Sequence, residues 1–161
     1  MPKTPSCWPD EAGTCDKRLP EEALRIRREH KPEPLTSDRY LNGFNVSVWL
    51  YRDSSGRLDC KGFLNTTIGE LNRKFGPAET PDAEVGFHSE MHAGQWFKEH
   101  RDQKPLQVFS ERIPCPYMCA HMLRKDFPGL PWFYYYNRRT WEQGGKLLKY
   151  PADVLKYVYG L

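Results

Sequence analysis

Between Gly43 and Leu50 the residues Phe44, Val46, Val48 and Leu50 alternate with Asn45, Ser47 and Trp49, the two-residue period of a β-strand. Asp53-Ser54-Ser55-Gly56 supplies turn residues, and Leu58 to Leu64 reads as a second strand, so the two are expected to form a hairpin. Pro105 to Phe109 reads as a short buried strand, and Trp132-Phe133-Tyr134-Tyr135-Tyr136 is a strongly β-prone run. Helices are expected over Pro20 to Glu29, where proline and acids come first and bases last. They are also expected from Phe87 or His88 to about His100, and from Cys115 to a stop at Asp126-Phe127-Pro128-Gly129. A helical turn is read between Ile68 and Phe75. Asn137 to Gly145 is too polar and glycine-ended for a crossover helix, so Lys146 to Tyr150 is expected as a fifth strand antiparallel to the fourth. Ala152 to Tyr159 then closes the chain as a helix. The order β-β-α-β-α-β predicts an α/β sandwich.

Length adds that 161 residues suit one domain with a real core. Six of the fourteen prolines fall at positions 2, 5, 9, 20, 32 and 34, so residues 1–38 read as a Pro-rich arm or linker with a short helix. The domain itself is expected over residues 39–161. A net charge of +3 is compatible with a phosphate-bearing partner without establishing one. No apolar run approaches the ~18 residues needed to cross a bilayer, and Met1-Pro2-Lys3-Thr4-Pro5 lacks the apolar stretch of a signal peptide, so a soluble chain is expected. Five cysteines form an odd set without the density of a secreted disulfide scaffold, which suits a reducing compartment. Cys7 and Cys15 read as unstructured tail cysteines, with a local clip as the alternative.

Two segments carry the chemistry: His88-Ser89-Glu90 and Pro114-Cys115-Pro116-Tyr117-Met118-Cys119. An imidazole, two thiols and a carboxylate are the makings of a catalytic zinc site, in which three protein ligands leave the fourth position to water. His88, Cys115 and Cys119 are the candidate ligands and Glu90 the acid/base that does not bind the metal. The cysteines are four positions apart, one more than in the commoner P-C-x-x-C form. Helical residues at i+3 and i+4 share a face, so either spacing aims both sulfurs at one ion. His88 and Glu90 lie roughly 200° apart on an ideal helix and converge only at its start, where the first residue is not yet helical. His92, one turn beyond His88, reads as a helix-surface residue or one touching a ligand, because the two-histidine protease pattern requires Glu directly after the first His.

On these motifs the chain resembles the cytidine deaminase-like superfamily over roughly residues 40–161. The interval between the motifs is similar to that in polynucleotide cytidine deaminases. Compactness, the antiparallel last strand and the Pro-rich leader resemble the deaminase toxin domains of bacterial polymorphic toxins, which sit at the C-terminus of large secreted proteins and act in a recipient cell's cytoplasm. The resemblance implies a three-layer α/β/α sandwich with a mixed sheet of about five strands. It also implies a Zn2+ cofactor and hydrolytic deamination of cytosine to uracil, with single-stranded DNA as substrate and mutagenesis as the outcome. The implied protein is a monomer without membrane association, and as a toxin it has a cognate immunity protein covering the pocket mouth. Asn65, at the end of the second strand, is the residue placed to contact the sugar, and Ser89 and Pro114 flank the reacting groups as further substrate contacts. Tyr117, Trp141, Arg138 and Arg139 fall in loops expected around the pocket, where rings can stack on an unpaired base and guanidinium groups can hold phosphate.

Blander readings stand beside these. The aromatic residues can be core and the arginines solvated surface, and Asn65 can end a turn. Double-stranded DNA, RNA or a free nucleoside can replace single-stranded DNA, and adenine can replace cytosine. A binding module with structural zinc is the other class, and it would have no use for Glu90.

Overall fold

The structure is a computed structural model. It describes residues 2–8, 13–29, 36, 41, 44–65, 88–113, 119–136, 141–143, 146–148 and 151–161, and for 141–143, 146–148 and 151 the backbone alone. Among the described residues the strands are β1 (Ser6–Trp8), β2 (Val46–Arg52), β3 (Leu58–Leu64), β4 (Lys104–Arg112), β5 (Trp132–Tyr136), β6 (Trp141–Gln143) and β7 (Lys146–Leu148). The helices are α1 (Arg18–Glu29), α2 (Ser89–Glu99), α3 (Cys119–Asp126) and α4 (Pro151–Tyr159).

β1 to β5 make one mixed sheet in the order β1-β5-β4-β2-β3, parallel between β4 and β5 and antiparallel elsewhere. The hairpin β2–β3 lies where the alternation predicts it. Its loop is held by the Asp53 carboxylate, which accepts from the backbone N–H groups of Ser55 and Arg57, each at 2.9 Å, while Gly56 supplies the left-handed turn residue at φ +84°.

Both faces of the sheet are covered, which gives an α/β sandwich with helices on either side. Val46, Val48 and Leu50 of β2 pack on one face with Leu19, Ala23 and Leu24 of α1 and with Val154, Leu155 and Val158 of α4. Trp49 and Tyr51 point the other way, toward Ala93 and Phe97 of α2 and Met122 and Leu123 of α3. Trp49 anchors that second layer: its ring stacks on Phe97 with centroids 4.8 Å apart and meets the edge of Phe127 at 5.1 Å. No helix among the described residues is long and apolar enough to cross a membrane.

Three findings modify the sequence reading. The fifth position of the main sheet is filled by β1, paired antiparallel with β5, and not by Lys146 to Tyr150. Lys146–Leu148 pairs instead with Trp141–Gln143 in a separate two-stranded sheet. Second, within the stretch read as an arm, β1 joins the sheet and α1 contributes to its core, because Leu19, Ala23, Leu24 and Arg27 fall on one helical face. Third, Cys7 and Cys15 are core residues and not tail cysteines: Cys15 is buried, Cys7 packs against the same cluster, and both are thiols. The helical turn read over Ile68 to Phe75 lies outside the described residues.

Candidate metal centre

His88 is the N-cap of α2, with an extended backbone at φ −81° and ψ 147°. Because it lies outside the helical spiral, its side chain is free of the 100° step that would otherwise turn it away from Glu90. Its carbonyl still starts the helix, accepting from the N–H groups of Met91 at 3.1 Å and His92 at 3.2 Å. Ser89 and Glu90 follow in the first turn, both buried, with the carboxylate at the helix end where the dipole favours an anion.

Cys119, the first described residue of α3, is fully buried beside them. Its Sγ lies 3.1 Å from His88 Nδ1 and 3.6 Å from Glu90 Oε2. One donor atom from each of His88, Glu90 and Cys119 lies within 4.8 Å of the others, a group that can hold a metal ion. The donor chemistry fits zinc. Bonds of about 2.0 Å to nitrogen and 2.3 Å to sulfur at a tetrahedral angle separate the two donor atoms by about 3.5 Å, and a small side-chain rotation reaches that from 3.1 Å. A tight approach of α2 and α3 makes this possible. Gly94 faces Met122, whose Sδ would lie 2.7 Å from a Cβ built at that position.

The Glu90 carboxylate is held from β4 and from the residue just before β2. Ser110 Oγ donates to Oε1 at 2.6 Å, and Asn45 Nδ2 lies 3.4 Å from the same oxygen. Asn45 also donates to Ser89 Oγ at 2.9 Å and to Ser110 Oγ at 3.1 Å, and Ser89 Oγ lies 3.3 Å from Glu90 Oε2. Sequence reasoning missed Asn45 and Ser110. The available signal was polarity at strand ends: Ser110 follows buried Val108 and Phe109 and is itself buried.

Of the other sequence-predicted residues, Asn65 sits at the end of β3, where its Oδ1 accepts from the Asn45 backbone N–H at 2.6 Å. Trp141 begins β6 and pairs with Leu148; its side chain lies outside the described residues, as do Pro114, Cys115, Tyr117, Arg138 and Arg139. The helix start expected at Cys115 falls in that same gap. His92 is partly buried and does not belong to the three-residue group.

The sheet's other face carries a second buried polar cluster. Glu111 alternates with Ser110 along β4, and its carboxylate accepts from Arg27 Nε at 2.7 Å and Nη2 at 2.6 Å, from the Val46 N–H at 2.9 Å and from Tyr159 Oη at 2.6 Å. Burial, and after it the Glu111 charge, pushes the Tyr159 phenol well above its ordinary value. Comparisons with protein-family models, curated proteins and solved structures find no match to this chain.

Proposed function

We propose that this protein is a zinc-dependent hydrolase that deaminates cytosine to uracil in single-stranded DNA, of the bacterial toxin type. The observation that carries the reading is the convergence of the neighbouring pair His88 and Glu90 with Cys119, 31 positions beyond His88, at the buried start of α2. The spacing of His88-Ser89-Glu90 and Pro114 to Cys119, with its resemblance to polynucleotide deaminases, supports it.

His88 and Cys119 would hold the zinc with Cys115 as third ligand, and such an ion would lower the pKa of water at the site toward neutrality. Glu90 takes a proton from the attacking water, passes it to the ring N3, and then delivers a proton to the departing amine. A C4–O bond forms, the C4–N bond breaks, ammonia leaves and uracil remains. Burial of Glu90 beside the sulfur supports this role, since proton transfer there does not compete with bulk water. A toxin of this kind is paired with an inhibitory protein that covers the pocket mouth.

The test is direct. Zinc-loaded protein is incubated with single-stranded DNA, double-stranded DNA, RNA and free cytidine, and the polynucleotide products are sequenced. C-to-T changes concentrated in single-stranded DNA, abolished in Glu90→Ala while one zinc per chain is retained, are the expected result. A-to-G changes, or conversion of cytidine alone, would replace the substrate. Zinc binding with no turnover of any of the four would identify a structural site.

A further inference from the structure

We infer that Asn45 and Ser110 are positioning residues that fix which oxygen of Glu90 faces the metal centre, an inference that rests on the acid/base role proposed for Glu90. The geometry starts at Arg112, whose backbone N–H donates to Asn45 Oδ1 at 3.1 Å. That bond settles the orientation of the Asn45 amide, since the reversed amide would set two N–H donors against another donor. Nδ2 is thereby aimed at the site, and its two protons are used by Ser89 Oγ at 2.9 Å and Ser110 Oγ at 3.1 Å. With their lone pairs occupied by Asn45, both hydroxyls turn their own protons toward Glu90. Ser110 reaches Oε1 at 2.6 Å and Ser89 lies 3.3 Å from Oε2.

Oε1 is therefore committed to β4, and Oε2 is the oxygen left facing Cys119 Sγ at 3.6 Å. The clamp joins three elements: Asn45 just before β2, Ser110 on β4, and Ser89 at the start of α2. Without it a buried carboxylate on a three-torsion side chain has several rotamers, and only some direct an oxygen at the reacting water. Ser110 donates to the Glu90 carboxylate and Asn45 bonds to Ser110 and Ser89 beside it, so both act through Glu90.

The experiment compares Ser110→Ala, Ser110→Thr and the shape-preserving Asn45→Asp with the parent chain, each checked for cooperative thermal unfolding. Zinc affinity is measured by chelator competition, and kcat and KM are measured on a single-stranded cytosine substrate. Ser110→Ala and Asn45→Asp are expected to keep zinc affinity within about threefold and KM within about twofold while kcat falls roughly tenfold to a hundredfold, with Ser110→Thr recovering most of the loss. A kcat within twofold of the parent, a zinc affinity reduced tenfold, or a raised KM with kcat intact would overturn the proposal. The clamp is also read without turnover, from the Asn45 side-chain amide resonances, identified by their disappearance in Asn45→Asp. They are expected to shift in Ser110→Ala and in Glu90→Gln; resonances that stay in place overturn the inference. Shifted resonances in a protein that turns over no cytosine overturn the deaminase reading alone and leave Asn45 and Ser110 as positioning residues of Glu90.

Discussion

Arg27 and Glu111 show how much a single side chain carries in this molecule. Both are buried, at 0% and 1% side-chain exposure, and the carboxylate has four donors around it. A buried charge so surrounded is costly to orphan, because the desolvation already incurred is no longer offset. Arg27→Ala is expected to destabilise the fold by about 3–5 kcal/mol, read as the change in urea midpoint at constant slope. Arg27→Met, paired with Glu111→Leu, should recover a large part of that loss, because replacing both partners removes the stranded charge. Neither residue was assigned a partner from sequence. Arg27 reads as one of several bases ending a helix, and Glu111 as part of a connection leading to the cysteines; only the register of β4 reveals that Ser110 and Glu111 face opposite sides of the sheet.

At the scale of elements, the grouping of His88, Glu90 and Cys119 depends on how closely α2 and α3 approach. Gly94→Val places a branched side chain against Met122, and the overpacking is expected to cost about 1–3 kcal/mol and to weaken zinc binding. In a Met122→Ala background the same substitution should cost markedly less, a coupling measurable by a double-mutant cycle in urea unfolding. The hairpin, α2 and β5 are legible in the sequence because each has a strong local signature: strict alternation with a turn, a histidine where a helix begins, and five consecutive aromatic residues. β1 is not legible, because Ser6-Cys7-Trp8 is too short to show a period and sits among prolines. Its place in the sheet is set by pairing with β5, a contact across more than a hundred residues. The grouping of His88, Glu90 and Cys119 was legible because residue type and spacing alone point to donor chemistry, while Cys115, the third ligand expected from sequence, lies outside the described residues. The carboxylate clamp was not legible, because hydroxyl and amide residues at strand ends resemble ordinary solvent-facing positions until the sheet is assembled.

For the whole molecule, the burial of Cys15, Tyr135 and Tyr159 in one core is expected to limit stability at alkaline pH. Burial, helped by the neighbouring Asp16 charge, pushes the Cys15 thiol from 9.0 up to about 12. Above pH 9 the unfolded chain releases this proton while the folded chain keeps it, so the contribution is fully present below pH 9 and is lost as pH rises toward 12. The phenols of Tyr135 and Tyr159, both raised by burial, add the same trend above pH 10. Cys15→Ala is therefore expected to flatten the fall of melting temperature between pH 9 and 10 relative to the parent chain. The sheet that buries these groups also carries α2 and α3, and in the proposed deaminase His88 and Cys119 share one zinc ion while Glu90 remains available for proton transfer. Zinc stoichiometry by equilibrium dialysis tests it most directly. One zinc per chain in the parent and in Glu90→Ala, with binding lost or weakened at least tenfold in His88→Ala and Cys119→Ala, is the predicted result. Equal zinc binding in all four proteins, or loss of zinc in Glu90→Ala alone, would rule out a zinc held by His88 and Cys119 with Glu90 free.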